Sequence, residues 1–167
     1  MIKSFNGKTP KIAKSAFVAE NATVVGDVTI GENCSIWYGV VIRGDDGAIV
    51  IGDDTNVQDN TVVHCEESGL VIGKGVTIGH GAIVHGKSIG NNVMIGMGSI
   101  SLSGSEIGDN CILGAGALLT QNKIIPENSV CVGSPCKVVR EVTENDVLNT
   151  KRNADVYVKL AKEHKQL

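Results

Sequence analysis

The fold is decided by residues 72–101, which read IGKGVTIGHGAIVHGKSIGNNVMIGMGSIS. An aliphatic residue followed by glycine recurs in this stretch at Ile72, Ile78, Ile89 and Ile95. Most of the aliphatic steps are six residues long, whereas the apolar stripe of an α-helix needs a period of 3.6. A step of six is typical of short strands that meet at corners, with three hexads closing one triangular coil.

The same step extends over most of the chain and predicts a parallel β-helix of about seven triangular coils. Successive coils stack as parallel strands, so that each corner of the triangle carries one ladder of aliphatic residues along the prism axis. We expect the glycines that follow the aliphatic residues to adopt positive φ at tight corners. The spacing does not determine the handedness of the coil. The predicted ladders are Ile12/Ile30/Ile51/Ile72/Ile89/Ile107/Ile125, Val18/Ile36/Val57/Ile78/Ile95/Leu113/Cys131 and Val24/Ile42/Val63/Val84/Ser101/Leu119.

The pattern changes near Thr143. Thr143 and Asp146 predict a capping box, and an apolar stripe follows at helical spacing as far as about Lys165. A single amphipathic helix must pack on something, and the side of the prism is available. Gly133-Ser134-Pro135 is predicted to be the turn that releases the chain from the last coil. The predicted stripe consists of Val147, Leu148, Ala154, Val158 and Ala161.

These patterns divide the chain into a β-helix domain at residues 1–140 and a helix at residues 141–167. The composition fits a thin aliphatic core, because aromatic residues make up only 3% of the 167 residues. The net charge is −3 and no run of basic residues marks a nucleic-acid face. The first residues lack the apolar stretch of a signal peptide, and no segment approaches the length of a membrane span. We therefore expect a cytoplasmic protein with no nucleic-acid or membrane partner.

The repeat breaks three times after the third ladder. The steps from Ile42 and from Val63 to the next aliphatic residue are nine residues long, and the step from Val84 is only five. The residues that open these irregular segments are Arg43, His64 and His85, and they fall in one column. Because neighbouring strands lie about 4.8 Å apart, His64 and His85 are predicted to stack closely enough to share a metal ion.

His80 falls in another column, two residues after Ile78. It lies toward the opposite end of one side of the triangle from His85, so one subunit cannot easily bring both to the same ion. A threefold assembly could instead place His80 of one prism against His64 and His85 of the next, with Asp59 near Arg43 of the neighbour. The alternative is that these histidines are merely solvated. His164 has no partner in the pattern and is predicted to be solvated.

Two segments carry a resemblance to a known family. Residues 56–64 read NVQDNTVVH and residues 78–86 read IGHGAIVHG, with Arg43-Gly44-Asp45 before them and Val132-Gly133-Ser134-Pro135 after them. This pattern resembles gamma-class carbonic anhydrases and covers nearly the whole chain. The resemblance implies a left-handed coil, a homotrimer, and zinc or ferrous iron held at the subunit interface by three histidines.

Carried over by motif, the resemblance makes His64 and His85 the ligands from one subunit and His80 the ligand from its neighbour. It implies that Gln58 orients the attacking water or hydroxide in the reversible hydration of carbon dioxide to bicarbonate. It also implies that Arg43, Asp45 and Asp59 hold the interface.

Two further roles are implied less directly by the family. Its well-studied type exports protons through glutamates on a long acidic loop, but here that segment is only residues 65–69. Glu67 falls where such a shuttle would lie, and a solvated surface glutamate is the alternative. The short loop predicts a weak or inactive enzyme. Tyr157 on the terminal helix is expected to reach the site.

Other functions stay open at this point. Hexapeptide-repeat acyltransferases use one histidine as a general base beside coenzyme A. An acyl-CoA thioesterase could use the same metal site against a thioester. A non-catalytic metal-binding assembly subunit is the alternative outside enzymes.

Overall fold

The computed structural model describes residues 1–166, and these form a stack of about seven coils of short strands with one helix packed along it. Leu167, the last residue of the predicted helical segment, lies outside the described residues. The strands are, in chain order, β1 Ile2–Lys3, β2 Lys11–Ile12, β3 Phe17–Val18, β4 Thr23–Ile30, β5 Ser35–Ile36, β6 Val41–Ile51, β7 Asn56–Val57, β8 Val62–His64, β9 Leu70–Ile72, β10 Thr77–Ile78, β11 Ile83–Val84, β12 Ser88–Ile89, β13 Met94–Ile95, β14 Ile100–Ser101, β15 Glu106–Ile107, β16 Ile112–Leu113, β17 Leu118–Leu119, β18 Ile124–Ile125, β19 Ser129–Gly133 and β20 Cys136–Glu141.

The coils stack in the predicted register. Ile78 pairs with Val57 on one side and with Ile95 on the other, both in parallel strands. The two remaining ladders are likewise paired residue for residue along the prism. Two of the three faces join into one sheet, because β4 and β6 run without interruption around the shared corner. The predicted parallel β-solenoid is therefore confirmed, and its handedness stays a prediction.

The glycines behind the aliphatic residues have a different role from the predicted one. Gly79, for example, does not adopt positive φ. A Cβ at this position would lie 2.7 Å from the backbone nitrogen of Met97 in the next coil, so glycine is required by the close approach of the two chains. Positive φ occurs instead at the turns that follow, as at Gly81 and Asn92. Glycine is thus required at Gly79 by the close approach of the next coil, whereas the turn that follows favours glycine at Gly81 because φ is positive there.

The chain leaves the solenoid through an antiparallel hairpin between β19 and β20. Gly133 has a φ of 102° at its tip, as expected for the predicted release turn. Helix α1 spans Glu144–His164, and Thr143 caps it. The Thr143 hydroxyl accepts from the Asp146 backbone, and the Asp146 carboxylate accepts from the Thr143 backbone in return. The predicted capping box is therefore confirmed.

Helix α1 lies back along the prism toward the first coils. Thr150, Ala154 and Ala161 are buried against it, but Leu148 is 64% exposed, so its place in the predicted stripe is wrong. Val147, three residues before Thr150, is half-buried on the packed face of the helix, whereas Leu148 is the next residue and points away from that face. No helix within residues 1–166 is both long and apolar enough to cross a membrane.

The prediction for His164 is also wrong. Its ring is half-buried, and Nδ1 lies 3.0 Å from the hydroxyl of Tyr38. The ring also packs edge-on against Trp37, with centroids 4.9 Å apart. Lys165 follows it and donates to the carbonyls of Lys14 and Ser15 in the first coil. These partners lie more than a hundred residues away in the chain, which is why spacing gave no sign of them.

Candidate metal centre

His64 and His85 come together as the column argument predicts. Val63 pairs with Val84, which places the following histidine of each strand on neighbouring coils. The two ring centroids are 5.0 Å apart, and His85 Nε2 lies 3.0 Å from His64 Nδ1. Both side chains are half-buried. The two facing nitrogens are therefore close enough for a single ion to contact both.

The far nitrogen of each ring is held by an oxygen. His64 Nε2 lies 3.1 Å from an Asp45 carboxylate oxygen, and His85 Nδ1 lies 3.2 Å from the Ser103 hydroxyl. Arg43 in turn donates to Asp45 within the same chain. Desolvation opposes the effect, but hydrogen bonds from Arg43 and from the backbone bring the pKa of Asp45 below its ordinary value. Asp45 is therefore a carboxylate at neutral pH.

His80 lies apart from this pair. Its side chain is 46% exposed, and its Nδ1 lies 2.9 Å from a carboxylate oxygen of Asp59 on the preceding coil. Among residues 1–166, His80 does not join His64 and His85 in a group with ligand spacing. A single subunit thus supplies two facing imidazoles at one edge and a third, exposed imidazole at another.

Gln58 is the start of a buried polar chain that spacing alone did not reveal. Its Nε2 donates to Asn56 Oδ1 at 3.0 Å, and Asn56 Nδ2 donates to Thr77 Oγ1 at 2.9 Å. Asn153 of α1 donates to the same Thr77 oxygen at 3.0 Å. The period-two alternation of Asn56 and Gln58 on the strand side was the available signal for the first two, whereas Asn153 required the docked position of the helix.

A pocket of about 310 Å³ joins these residues to His80. Gln58, His80, Asn153 and Tyr157 form its polar wall. Burial, and secondarily the negative charge of Asp59, raise the pKa of Tyr157. The phenol therefore stays protonated at neutral pH. Tyr157 and His80 thus line the same pocket, and the predicted role of Tyr157 at a metal site stays a prediction.

Two residues that follow His64 in the sequence, Cys65 and Glu67, differ from the histidines in their placement. Glu67 is exposed on the turn after β8 and makes no hydrogen bond or ion pair within the described chain. Cys65 is fully buried, and burial raises the pKa of its thiol. Its side chain thus points into the solenoid, on the opposite side of the strand from His64.

The donor set fits a transition-metal ion. Tetrahedral zinc with Zn–N bonds of 2.0–2.1 Å places two ligand nitrogens roughly 3.3 Å apart, close to the 3.0 Å between His64 and His85. Asp45 and Asp46 also lie within 4.8 Å of His64. Asp45 is already paired with Arg43 and with His64 Nε2, whereas Asp46 is exposed and lies 3.6 Å from that nitrogen.

The comparisons with known proteins agree with the hexapeptide repeat. The family model described as "Bacterial transferase hexapeptide (six repeats)" matches residues 9–44 and 86–121, and "Hexapeptide repeat of succinyl-transferase" matches residues 69–100. A "Carbonic anhydrase" of Geobacillus kaustophilus is 46% identical over 168 residues, covering 100% of this chain and 92% of that protein. The chain belongs to the gamma-class carbonic anhydrase-like family of hexapeptide-repeat proteins.

Two further relatives show how widely this architecture is shared. "Gamma carbonic anhydrase 2, mitochondrial" of Arabidopsis thaliana is 39% identical over 164 residues, which cover 94% of this chain and 59% of that longer protein. A solved structure titled as a putative acetyltransferase of Bacillus cereus superposes with a TM-score of 0.96. It has 43% sequence identity, covering 99% of this chain and 96% of that one. Proteins similar to this chain thus carry the names of different activities.

Proposed function

We propose that this chain is a gamma-type carbonic anhydrase-like metalloenzyme that catalyses the reversible hydration of carbon dioxide to bicarbonate. In this proposal a homotrimer binds zinc, or ferrous iron, through His64 and His85 of one subunit and His80 of the next. The observation that carries it is the pair of facing imidazole nitrogens with His80 exposed at a separate edge. The name of the full-length Geobacillus relative supports the reaction.

An apolar column beside the metal ligands supports the trimer. Val62 and Ile83 are 39% and 42% exposed, and they lie two residues before His64 and His85, on the same face of their strands. Val41, Ile100 and Leu118 continue the same column in register. Burial of this column against a second copy would remove aliphatic surface from water next to the shared site. Three copies related by a threefold axis would close the assembly.

The metal, when bound, would lower the pKa of a coordinated water toward neutrality, an effect for which carbonic anhydrase itself is the reference case. Gln58 contributes orientation. Its amide nitrogen is committed to Asn56, so its amide oxygen is left to accept a hydrogen bond from the reacting water. Tyr157, which stays protonated, can donate to a substrate oxygen. The residues of this chain therefore position water and substrate.

Proton export is the slow step in this proposal. Glu67 is exposed and makes no hydrogen bond or ion pair with the histidines within residues 1–166. The only other carboxylate within residues 65–69 is that of Glu66. We therefore propose that hydration is slow and depends on external buffer.

Acyl transfer or thioester hydrolysis is the second candidate. Met94, Ile95 and Met97 give the pocket beside His80 an apolar wall, and Met97 is 60% exposed. Such a wall suits an acyl chain better than it suits carbon dioxide alone. The solved structure titled as a putative acetyltransferase supports this reading.

Metal analysis together with stopped-flow hydration separates these functions. The proposal expects one zinc or iron per subunit and hydration that is lost on chelation and restored by the metal. Full metal occupancy without hydration would overturn the assigned reaction. Turnover of short acyl-CoA thioesters would then identify the second candidate, and its absence would leave a non-catalytic assembly subunit.

Mixed trimers test the shared site directly. His80→Ala and His85→Ala should each abolish tight metal binding, because every site loses one ligand. When both variants are unfolded, mixed equally and refolded, about one site in four should regain all three histidines under random trimer assembly. Metal content and activity should return to about a quarter of the native level. Confirmed mixed trimers with no recovery would show that all ligands come from one chain.

A further inference from the structure

We propose that Ser103 is a positioning residue that fixes the tautomer and the orientation of His85 for metal binding. This inference rests on the proposed metal site. The structure places the Ser103 hydroxyl 3.2 Å from His85 Nδ1, on the opposite side of the ring from the nitrogen that faces His64. A neutral imidazole carries one N–H, and a ligand nitrogen must present a lone pair. With the proton on Nδ1 and directed to Ser103, Nε2 is left free for the metal.

Backbone contacts of its turn set the position of Ser103. It lies in the turn after β14, next to Gly104, whose φ is 68°. Its carbonyl accepts from the backbone nitrogen of Asn122 at 3.0 Å, which ties the turn to the following coil. The hydroxyl is thus carried by a backbone that is hydrogen-bonded to the following coil.

The short corner after His85 brings the histidine onto this turn. A Cβ at Gly86 would lie 2.9 Å from the carbonyl oxygen of Ser105, so glycine permits the close approach of the two coils there. The five-residue step between Val84 and Ile89 is shorter than the usual six. The short corner therefore also allows the His85 ring to lie within hydrogen-bond distance of Ser103.

Ser103 also differs chemically from the partners of the other two histidines. His64 and His80 lie against carboxylates, those of Asp45 and Asp59, whereas His85 lies against a neutral hydroxyl. A hydroxyl can orient an imidazole without adding negative charge at the site. Partners of this kind commonly change metal affinity by about 10–100-fold when they are removed.

The test uses the full-length protein as Ser103→Ala, Ser103→Thr and Ser105→Ala. Ser105 is a matched control, because it lies in the same turn region and its buried hydroxyl has no hydrogen-bond partner within residues 1–166. Zn²⁺ affinity is measured by competition with a chromophoric chelator, and Co²⁺-loaded protein gives the visible absorption spectrum of the site. Melting temperature without metal reports folding separately.

We expect Ser103→Ala to weaken Zn²⁺ binding about 10-fold and to change the Co²⁺ spectrum, with an unchanged metal-free melting temperature. Ser103→Thr should restore both properties, and Ser105→Ala should match the native protein. Native affinity and spectrum in Ser103→Ala, or equal losses in Ser105→Ala, would overturn the inference while leaving the metal site standing. A native protein that binds neither ion would overturn the proposed function and the role of Ser103 with it.

Discussion

Truncation of the Ile78 side chain to alanine should reduce the stability of the folded protein strongly. Ile78 is fully buried, with Val57 and Ile95 in register above and below it. Ile78→Ala removes three carbon atoms, which corresponds to about 2.5 kcal/mol of transfer free energy. The flanking backbones are tied together by hydrogen bonds, so the cavity cannot collapse. The expected loss of unfolding free energy is therefore about 3–4 kcal/mol per subunit.

The control is Ile124→Ala, which removes the same atoms from a strand position that is 67% exposed. That change should cost less than about 1 kcal/mol. Both variants are unfolded in urea at equal subunit concentration, because assembly contributes to apparent stability. Equal losses in the two variants would refute the assignment of Ile78 to an interior ladder.

Two further predictions concern the shuttle and the helix cap. If Glu67 carries protons out of the site, Glu67→Ala should slow hydration and small external buffers should partly restore it; an unchanged stopped-flow rate would identify Glu67 as a surface glutamate. Hydrogen bonds from Arg140 and Thr143 hold the pKa of Asp146 well below its usual range, so the stability it confers is present above about pH 4 and is lost as pH falls through the lowered value. Asp146→Asn should therefore melt at a lower temperature than the native protein at pH 7, and the difference, followed by circular dichroism, should narrow below about pH 4.

The solenoid could be predicted from the sequence because its signal is repeated in every coil. A wrong register at Ile78 would also misplace Val57 and Ile95, so each residue of a ladder confirms the assignment of its neighbours. The column of His64 and His85 followed from the same register. The purpose of the glycines was mistaken, because spacing shows where a residue is small but does not show whether φ or a neighbouring chain demands it.

Contacts made by the helix could not be predicted in the same way. Asn153 reaches Thr77 and His164 reaches Tyr38 across separations of 76 and 126 residues. Such pairs depend on the angle at which α1 lies against the prism, and no periodicity encodes that angle. Ser103 was missed for a related reason, since its hydroxyl matters only once His85 is known to lie over that turn.

The return of α1 to the first coils changes how the whole molecule should come apart. A bare solenoid behaves nearly as a one-dimensional array, in which each coil contacts only its neighbours and the ends can fray independently. Here the helix starts beyond the last coil, and Lys165 at its far end is bound to Lys14 and Ser15. Fraying at either end must then release the same helix. Helix α1 therefore couples the first and last coils, so that the two ends of the solenoid unfold together as one cooperative unit.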